Sequence, residues 1–240
     1  MARVIRLVTF DVTNTLCRVS SSVGRHYVKI GNMYGIEATE EEMNNAHKHH
    51  YDIYSQKYPN FGVSVNMSPY KWWTNLVRDS FRSVGFTNDE ETLTQIANHL
   101  YLHFTSAACW EKLPGVDTGL MALRSQDVKM GVISNFDERL EKILKNVAIS
   151  HQFDFILTST KAGFEKPDVK IFQKALEIAE VEAKDAVHIG DNIEKDYFGA
   201  RNAGWRSYVV SQETLLPKVD PEHIVKTLND FVALRPPTLP

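Results

Sequence analysis

Val4-Ile5-Arg6-Leu7-Val8-Thr9-Phe10-Asp11-Val12-Thr13-Asn14-Thr15-Leu16 is the stretch on which the reading of this chain turns. Val4 to Phe10 is mostly apolar and rich in β-branched residues. Such a run, closed by polar turn residues, is the signature of a strand buried on both faces of a sheet. It stops at Asp11. Open α/β sheets bind their ligands at the carboxyl ends of their strands, so that carboxylate sits where a ligand would be met.

Downstream of Leu113 the pattern alternates between strand and helix. After the Pro114-Gly115 break, a helix is predicted over 116–125 and a strand over 129–133, running into Ser134-Asn135. A helix over 137–145 and a strand over 153–157 follow. Pro167-Asp168 opens a helix to about 179, with Ile171, Phe172, Ala175, Leu176 and Ala179 on one face. A strand over 186–189 runs into Gly190-Asp191. Then come a helix over 194–203 closed by Gly204, a strand over 206–210, a helix over 221–231 and a Pro-rich tail expected to fray. This alternation predicts an α/β fold, a Rossmann-like parallel sheet flanked by helices, with the first strand in the same sheet.

Between those parts, residues 20–110 read as helical with no convincing strand. A first helix over 20–34 is closed by Gly35. Thr39-Glu40-Glu41-Glu42 is a capping-box start for a helix to about 57. Ser68-Pro69 opens a third helix with a serine cap and proline at its first position, and Asn88-Asp89-Glu90-Glu91 opens a fourth. The expected organisation is a core of residues 1–17 and 112–240, with 18–111 inserted as an all-helical cap where a lid would lie.

Composition narrows the function. The 240 residues are 43% apolar and 24% charged, with a net charge of −3. No basic field recommends nucleic acid or an anionic membrane surface as a partner. No apolar run reaches the ~18 residues of a membrane span. Arg3 and Arg6 interrupt any signal-peptide stretch, and Cys17 and Cys109 lie far apart. A cytoplasmic or nuclear, reducing compartment is expected rather than secretion. His47-Lys48-His49-His50 is read as a solvated helix face, Cys17 as a small buried hydrophobe, and His188 as a satisfied core histidine.

Asp11, Ser134-Asn135, Lys166 and Asp191-Asn192 all fall at strand ends or in the loops beyond them. Together the set resembles the motifs of the haloacid dehalogenase superfamily. Asp11 through Leu16 is similar to its first motif, Ser134 to its second, Lys166-Pro167 to its third, and Gly190-Asp191-Asn192 through Asp196 to its fourth. The helical block resembles that superfamily's cap. Tyr58-Pro59-Asn60-Phe61-Gly62 with Trp72-Trp73, and Ile133-Ser134-Asn135-Phe136-Asp137, are similar to one branch of it.

The resemblance implies a hydrolase acting on a small phosphorylated molecule, with Mg²⁺ as cofactor; it assigns no oligomeric state. Asp11 would be the nucleophile, forming an aspartyl-phosphate. Asp11, the Thr13 carbonyl, Asp191 and Asp196 would serve the metal, Asp196 through a water or by holding Lys166. Lys166, Ser134 and Asn135 would bind the phosphoryl oxygens, with Lys166 also catalytic. One residue departs from the pattern. Phosphatases of the superfamily carry a second Asp two residues after the nucleophile, as general acid and base. Here that residue is Thr13. Transport ATPases of the superfamily also carry Thr there, which implies a longer-lived aspartyl-phosphate. The expectations are slow phosphatase chemistry, a leaving group that needs no proton, a substitute acid such as Asp52 or His26, or a cleft that binds without turnover. A true dehalogenase is the remaining reading. Ser134-Asn135 resembles that branch, but the metal-type carboxylate Asp191 speaks against it.

Overall fold

A computed structural model describes residues 4–86 and 89–234. The fraying expected of the Pro-rich tail and the helix-start signal at Asn88 lie outside the described residues. The chain divides into two compact units, Met1–Arg18 with Lys112–Pro240, and Val19–Glu111.

In the core unit, β1 (Leu7–Phe10) is a central strand, parallel to β4 (Lys129–Ser134) on one side and β6 (Ala186–Gly190) on the other. All four of its residues are buried, which is why the stretch carries no polar face. Beyond β4 lies β5 (Phe155–Thr158); beyond β6 lie β7 (Arg206–Val210) and β8 (Ile224–Val225). The order is β5-β4-β1-β6-β7-β8. Register matters more than order for the site. Phe10 pairs with Val132 and with Ile189, so the residues just after these three positions emerge on one edge. The chain leaves β1 toward β4 and leaves β6 toward β7, so connections diverge between β1 and β6. Sheets of this kind open a crevice at such a reversal.

Helices α5 (Val116–Arg124), α6 (Leu140–Asn146), α7 (Ser159–Ala162), α8 (Val169–Ala179), α9 (Gly199–Asn202) and α10 (Leu228–Ala233) complete this unit. The α8 face is buried as its spacing predicts: Ile171, Phe172, Ala175 and Ala179 pack with Leu7, Ile133, Ala186 and Trp205.

Two expectations are corrected in this unit. The helix predicted over 221–231 is broken. Pro221–His223 make one tight turn, Ile224–Val225 extend as β8, and α10 begins only behind the Thr227/Asp230 capping box. Two β-branched residues beside an open strand edge gain ladder bonds that a solvated helix would not offer them. The helix predicted over 194–203 is also not uniform. Residues Ile193–Phe198 are wound wide, with the Tyr197 N–H reaching back five residues to the Asn192 carbonyl at 3.2 Å. Such single wide turns are rare and recur at functional sites.

The second unit is a helical bundle of α1 (Val23–Met33), α2 (Glu40–Lys57), α3 (Pro69–Ser83) and α4 (Glu90–His103). The predicted caps are present: Thr39 with Glu42 on α2, and Ser68 with Pro69 on α3. Tyr27, Ile30, Met43, Val77, Phe81, Leu93, Ile96 and Leu100 form its core. Trp72 is buried against Tyr54, Phe61 and Leu76, with Trp73 alongside. Strands do occur at the margins, contrary to the all-helical reading. β2 (Cys17–Val19) pairs with β3 (Trp110–Lys112) as a two-stranded sheet. Three-residue strands are too short to show alternation, so sequence gives no signal for them. His47 is likewise not solvated. Its ring stacks on Trp73 at 6.4 Å and shares a hydrogen bond with the Tyr27 hydroxyl, 3.1 Å from Nδ1. Burial, then the nearby His50, push it down to about 4. Lys48 and His49 do lie exposed.

Candidate active site

At the chain reversal two of the predicted carboxylates, Asp11 and Asp196, gather around the Lys166 ammonium. Lys166 Nζ donates to Asp11 Oδ1 at 2.8 Å, to Asp196 Oδ1 at 2.6 Å and to the Ile133 carbonyl at 2.7 Å. An ammonium has three N–H donors, so this set uses them all. Lys166 is 2% exposed, so the charge is held inside the protein, where an ion survives only if paired and hydrogen-bonded. Burial works to strip its proton. The Asp11 and Asp196 carboxylates outweigh that and hold its pKa above the ordinary lysine value.

Asp191 closes the group. One carboxylate oxygen from each of Asp11, Asp191 and Asp196 can be chosen so that all lie within 4.8 Å of one another. Burial, then the Asp11 and Asp196 charges, push the Asp191 carboxyl up to about 6. Asp196 moves the other way. Burial would raise it, but Lys166 and then His188 hold it well below the usual carboxylate range.

Local structure explains how Asp196 gets there. The Asn192 side chain caps the next turn by accepting from the Glu194 and Lys195 amides. The wide turn then aims Asp196 back under the sheet edge, where its Oδ2 accepts from the Asn192 amide at 3.0 Å. Gly190 makes room for it. A Cβ at Gly190 would lie 2.2 Å from the Asp196 carboxyl carbon, so no other residue fits beneath it.

The remaining predicted residues fall as follows. Ser134 is buried at the carboxyl end of β4. Asn135 does not turn its side chain to a ligand. It accepts from the Lys166 N–H at 2.8 Å and donates to the Lys166 carbonyl at 2.9 Å. Its side chain therefore orients Lys166, and the phosphoryl contact expected of the amides beside Ser134 concerns its backbone. Thr13 lies in a tight turn in which the Thr15, Leu16 and Cys17 amides all donate to the Val12 carbonyl. Of the two candidate substitute acids, Asp52 is exposed on α2. His26 has both ring nitrogens engaged inside the helical unit, by the Ser20 carbonyl at 2.9 Å and by His103 at 3.1 Å.

His188 is a satisfied core histidine, as its place inside a strand predicts, and one of its partners is Asp196. It is fully buried, with Nε2 3.2 Å from Asp196 Oδ1 and Nδ1 2.8 Å from the Thr9 hydroxyl. Burial, only partly countered by Asp196, keeps its pKa below the ordinary histidine value. A neutral imidazole here donates Nε2–H to the carboxylate and accepts from Thr9. Thr9 and His188 occupy matched positions on paired strands, two polar residues facing one another within an apolar layer.

A parallel sheet with this reversal, and an acidic and lysine-bearing crevice at it, define a class of enzyme fold. The sequence pattern of the haloacid dehalogenase-like hydrolases matches residues 5–204. The chain belongs to that family. It is 38% identical over 233 residues to haloacid dehalogenase-like hydrolase domain-containing protein 3 of Bos taurus, covering 95% of this chain and 92% of that one. It is 34% identical over 242 residues to the Rhythmically expressed gene 2 protein of Drosophila melanogaster, covering 94% and 93%. Among solved structures, the magnesium-bound HAD-hydrolase YfnB from Bacillus subtilis matches with a TM-score of 0.71 at 17% identity, covering 96% of this chain and 98% of that one. L-2-haloacid dehalogenase from Xanthobacter autotrophicus matches with a TM-score of 0.70 at 17% identity over the same shares. At such identities these two establish the fold alone. Among the described residues, no helix is long and apolar enough to cross a membrane.

Proposed function

We propose that the chain is a slow, Mg²⁺-dependent hydrolase of small phosphate esters, working through an aspartyl-phosphate on Asp11. The observation that carries this reading is the trio of carboxylates within 4.8 Å at the sheet reversal, with the Lys166 ammonium bound to two of them. The donors are all hard oxygens, the set Mg²⁺ prefers. Burial first, and then the neighbouring Asp11 and Asp196 charges, raise the Asp191 carboxyl, and a cation offsets both by favouring its ionised form. Both Asp196 oxygens are already committed to Lys166, His188 and Asn192, so direct coordination falls to Asp11, Asp191 and the Thr13 carbonyl. Bound there, Mg²⁺ would screen the two anions that must approach each other.

In this reading an Asp11 oxygen attacks phosphorus, the P–O ester bond breaks, and the alcohol leaves with its electron pair. The Ser134 hydroxyl holds a phosphoryl oxygen, Lys166 supplies a fixed positive charge beside the reacting group while its N–H donors hold Asp11 and Asp196, and Asn135 keeps Lys166 in place. The Asn14–Cys17 amides are spent inside their own turn, which leaves those of Val12 and Thr13 to meet the anion. Water then cleaves the aspartyl-phosphate. Proton transfer is the weak step, because a threonine hydroxyl cannot serve as acid and base near neutral pH. General acid–base help is worth about 10²–10⁴-fold. Thr13→Asp is therefore expected to raise kcat on an alkyl phosphate by about 10²–10⁴-fold, with a smaller gain on an aryl phosphate whose leaving group needs no proton. The same Thr13 favours a second reading, a cleft that binds phosphorylated ligands without turnover. Aryl-phosphate hydrolysis with and without Mg²⁺ separates the two: metal-dependent turnover by the wild-type chain supports the enzyme, and turnover only in Thr13→Asp supports the binding protein.

Metal affinity should follow Asp191. Its carboxyl titrates at about 6 against an ordinary 3.8, so it favours the folded state fully below 3.8, and that advantage is lost as pH rises through about 6. Cation binding needs the ionised form. Calorimetric titration with Mg²⁺ should give an affinity that falls about tenfold per pH unit below that point and levels off above it. Asp191→Asn should flatten the dependence.

A further inference from the structure

The helical unit holds a second cluster of ligating groups, of different chemistry from the acidic crevice. His26 lies on α1, His103 is the last residue of α4, and Cys109 closes the turn that follows. His26 Nδ1 is 3.1 Å from His103 Nε2, and Cys109 Sγ is 3.9 Å from His26 Nδ1; the three donor atoms all lie within 4.8 Å of one another. A tetrahedral zinc ion, with Zn–N near 2.0–2.1 Å and Zn–S near 2.3 Å, needs N···N edges of about 3.3 Å and N···S edges of about 3.6 Å. The two pairs that share His26 Nδ1 are within a few tenths of an ångström of those edges. We propose that His26, His103 and Cys109 form a binding site for a zinc-like divalent transition metal, with water in the fourth position.

Three features of the surroundings fit a ligand set rather than a chance meeting. First, the tautomer is right. His26 Nε2 lies 2.9 Å from the Ser20 carbonyl, which can only accept, so the ring proton sits there and Nδ1 keeps its lone pair for the metal. A metal-bound imidazole almost always donates its other N–H to such a partner. Second, the frame is braced by backbone. The Ser20 amide donates to the Cys109 carbonyl at 2.9 Å, the Ser20 hydroxyl to the Ala108 carbonyl at 2.8 Å, and the Cys109 amide to the Ser106 carbonyl at 3.0 Å. Third, solvent access is graded. Cys109 is buried, His26 is 9% exposed and His103 half-buried, with Phe104 edge-on to the His26 ring at 5.4 Å as an apolar wall. Burial pushes the Cys109 thiol up to about 11 and the nearby Lys29 draws it down only in part, so the thiolate forms when a dication takes the place of the proton.

The binding step balances. The metal takes the place of the Cys109 thiol proton, which leaves to solvent and frees the sulfur from its contact with the His103 carbonyl at 3.1 Å. In the free protein the His103 Nε2–H faces the bare His26 Nδ1; on binding, that proton goes to solvent, Nδ1 takes one up in its place, and His103 binds through Nε2. Imidazole and thiolate select zinc, cobalt or copper over magnesium, so the site is chemically distinct from the acidic crevice.

The test uses the full chain, stripped with a chelator and titrated with Co²⁺. The expected result is one cobalt per chain giving thiolate-to-cobalt charge-transfer absorption and the strong visible bands of a tetrahedral ion, both displaced by Zn²⁺. Cys109→Ser should remove the charge-transfer band. His103→Gln, at a half-buried position, should weaken Co²⁺ at least tenfold while circular dichroism shows the helices intact. Asp191→Asn, in the other unit, should leave the bands in place. A wild-type chain that takes up Co²⁺ without a thiolate band, or a band that survives in Cys109→Ser, overturns the proposal.

Discussion

Asp11→Asn is expected to lower the rate of aryl-phosphate hydrolysis by at least about 10⁴-fold, the scale on which removing a nucleophile acts. An amide has nearly the shape of the carboxylate but almost none of its nucleophilicity. The fold should survive the change. Asn can still accept from Lys166 Nζ through its carbonyl oxygen, and Lys166 keeps Asp196 and the Ile133 carbonyl as partners. Asp11→Asn should therefore keep the ability to bind inorganic phosphate while losing turnover, with no phosphate trapped on the protein by acid quench. Residual hydrolysis near the wild-type rate would show that Asp11 is not the attacking group.

Lys166→Met has the second-largest expected effect, and it falls on both stability and activity. Methionine keeps most of the side-chain volume but removes the one charge shared by Asp11 and Asp196. Two carboxylates then face each other in a site where Asp196 is 2% exposed. Breaking a buried ion pair by removing one partner costs about 3–5 kcal/mol. The pH dependence identifies the cause. Asp196 is depressed below its ordinary 3.8, so its contribution to stability is present above 3.8 and is lost as pH falls through the depressed value. Urea denaturation should show a large deficit for Lys166→Met at neutral pH, shrinking in acid, where the variant's carboxyls are protonated. Activity should fall by at least about 10³-fold, because the phosphoryl charge loses its fixed cation. A deficit that is the same at both pH values would point to lost packing instead.

The division between what could be read and what had to be seen follows from the range of the forces involved. β1 was legible as an unbroken apolar run closed by Asp11, α8 because its buried positions repeat at the period of a helix, and Thr39 and Ser68 because a cap acts on residues two or three positions away. β2, β3 and β8 were not, since two or three residues carry no period and each exists only because a partner strand lies beside it. Asp11, Lys166 and Asp191 stood out as polar tips on strand ends. The duties of Asn135 and His188 did not, because an amide that grips the backbone of Lys166 and an imidazole that touches Asp196 are defined by residues 31 and 8 positions away.

By itself, then, the order of residues determined the strand–helix alternation, the inserted helical block, and which charged tips could meet at one sheet edge. Only the tertiary structure decided how they meet: the register that aligns Phe10 with both Val132 and Ile189, the wide turn that swings Asp196 under Gly190, and the closing of His26, His103 and Cys109 into one cluster. Periodicity is written locally, whereas a distance between side chains on separate elements is set by the packing of everything between them.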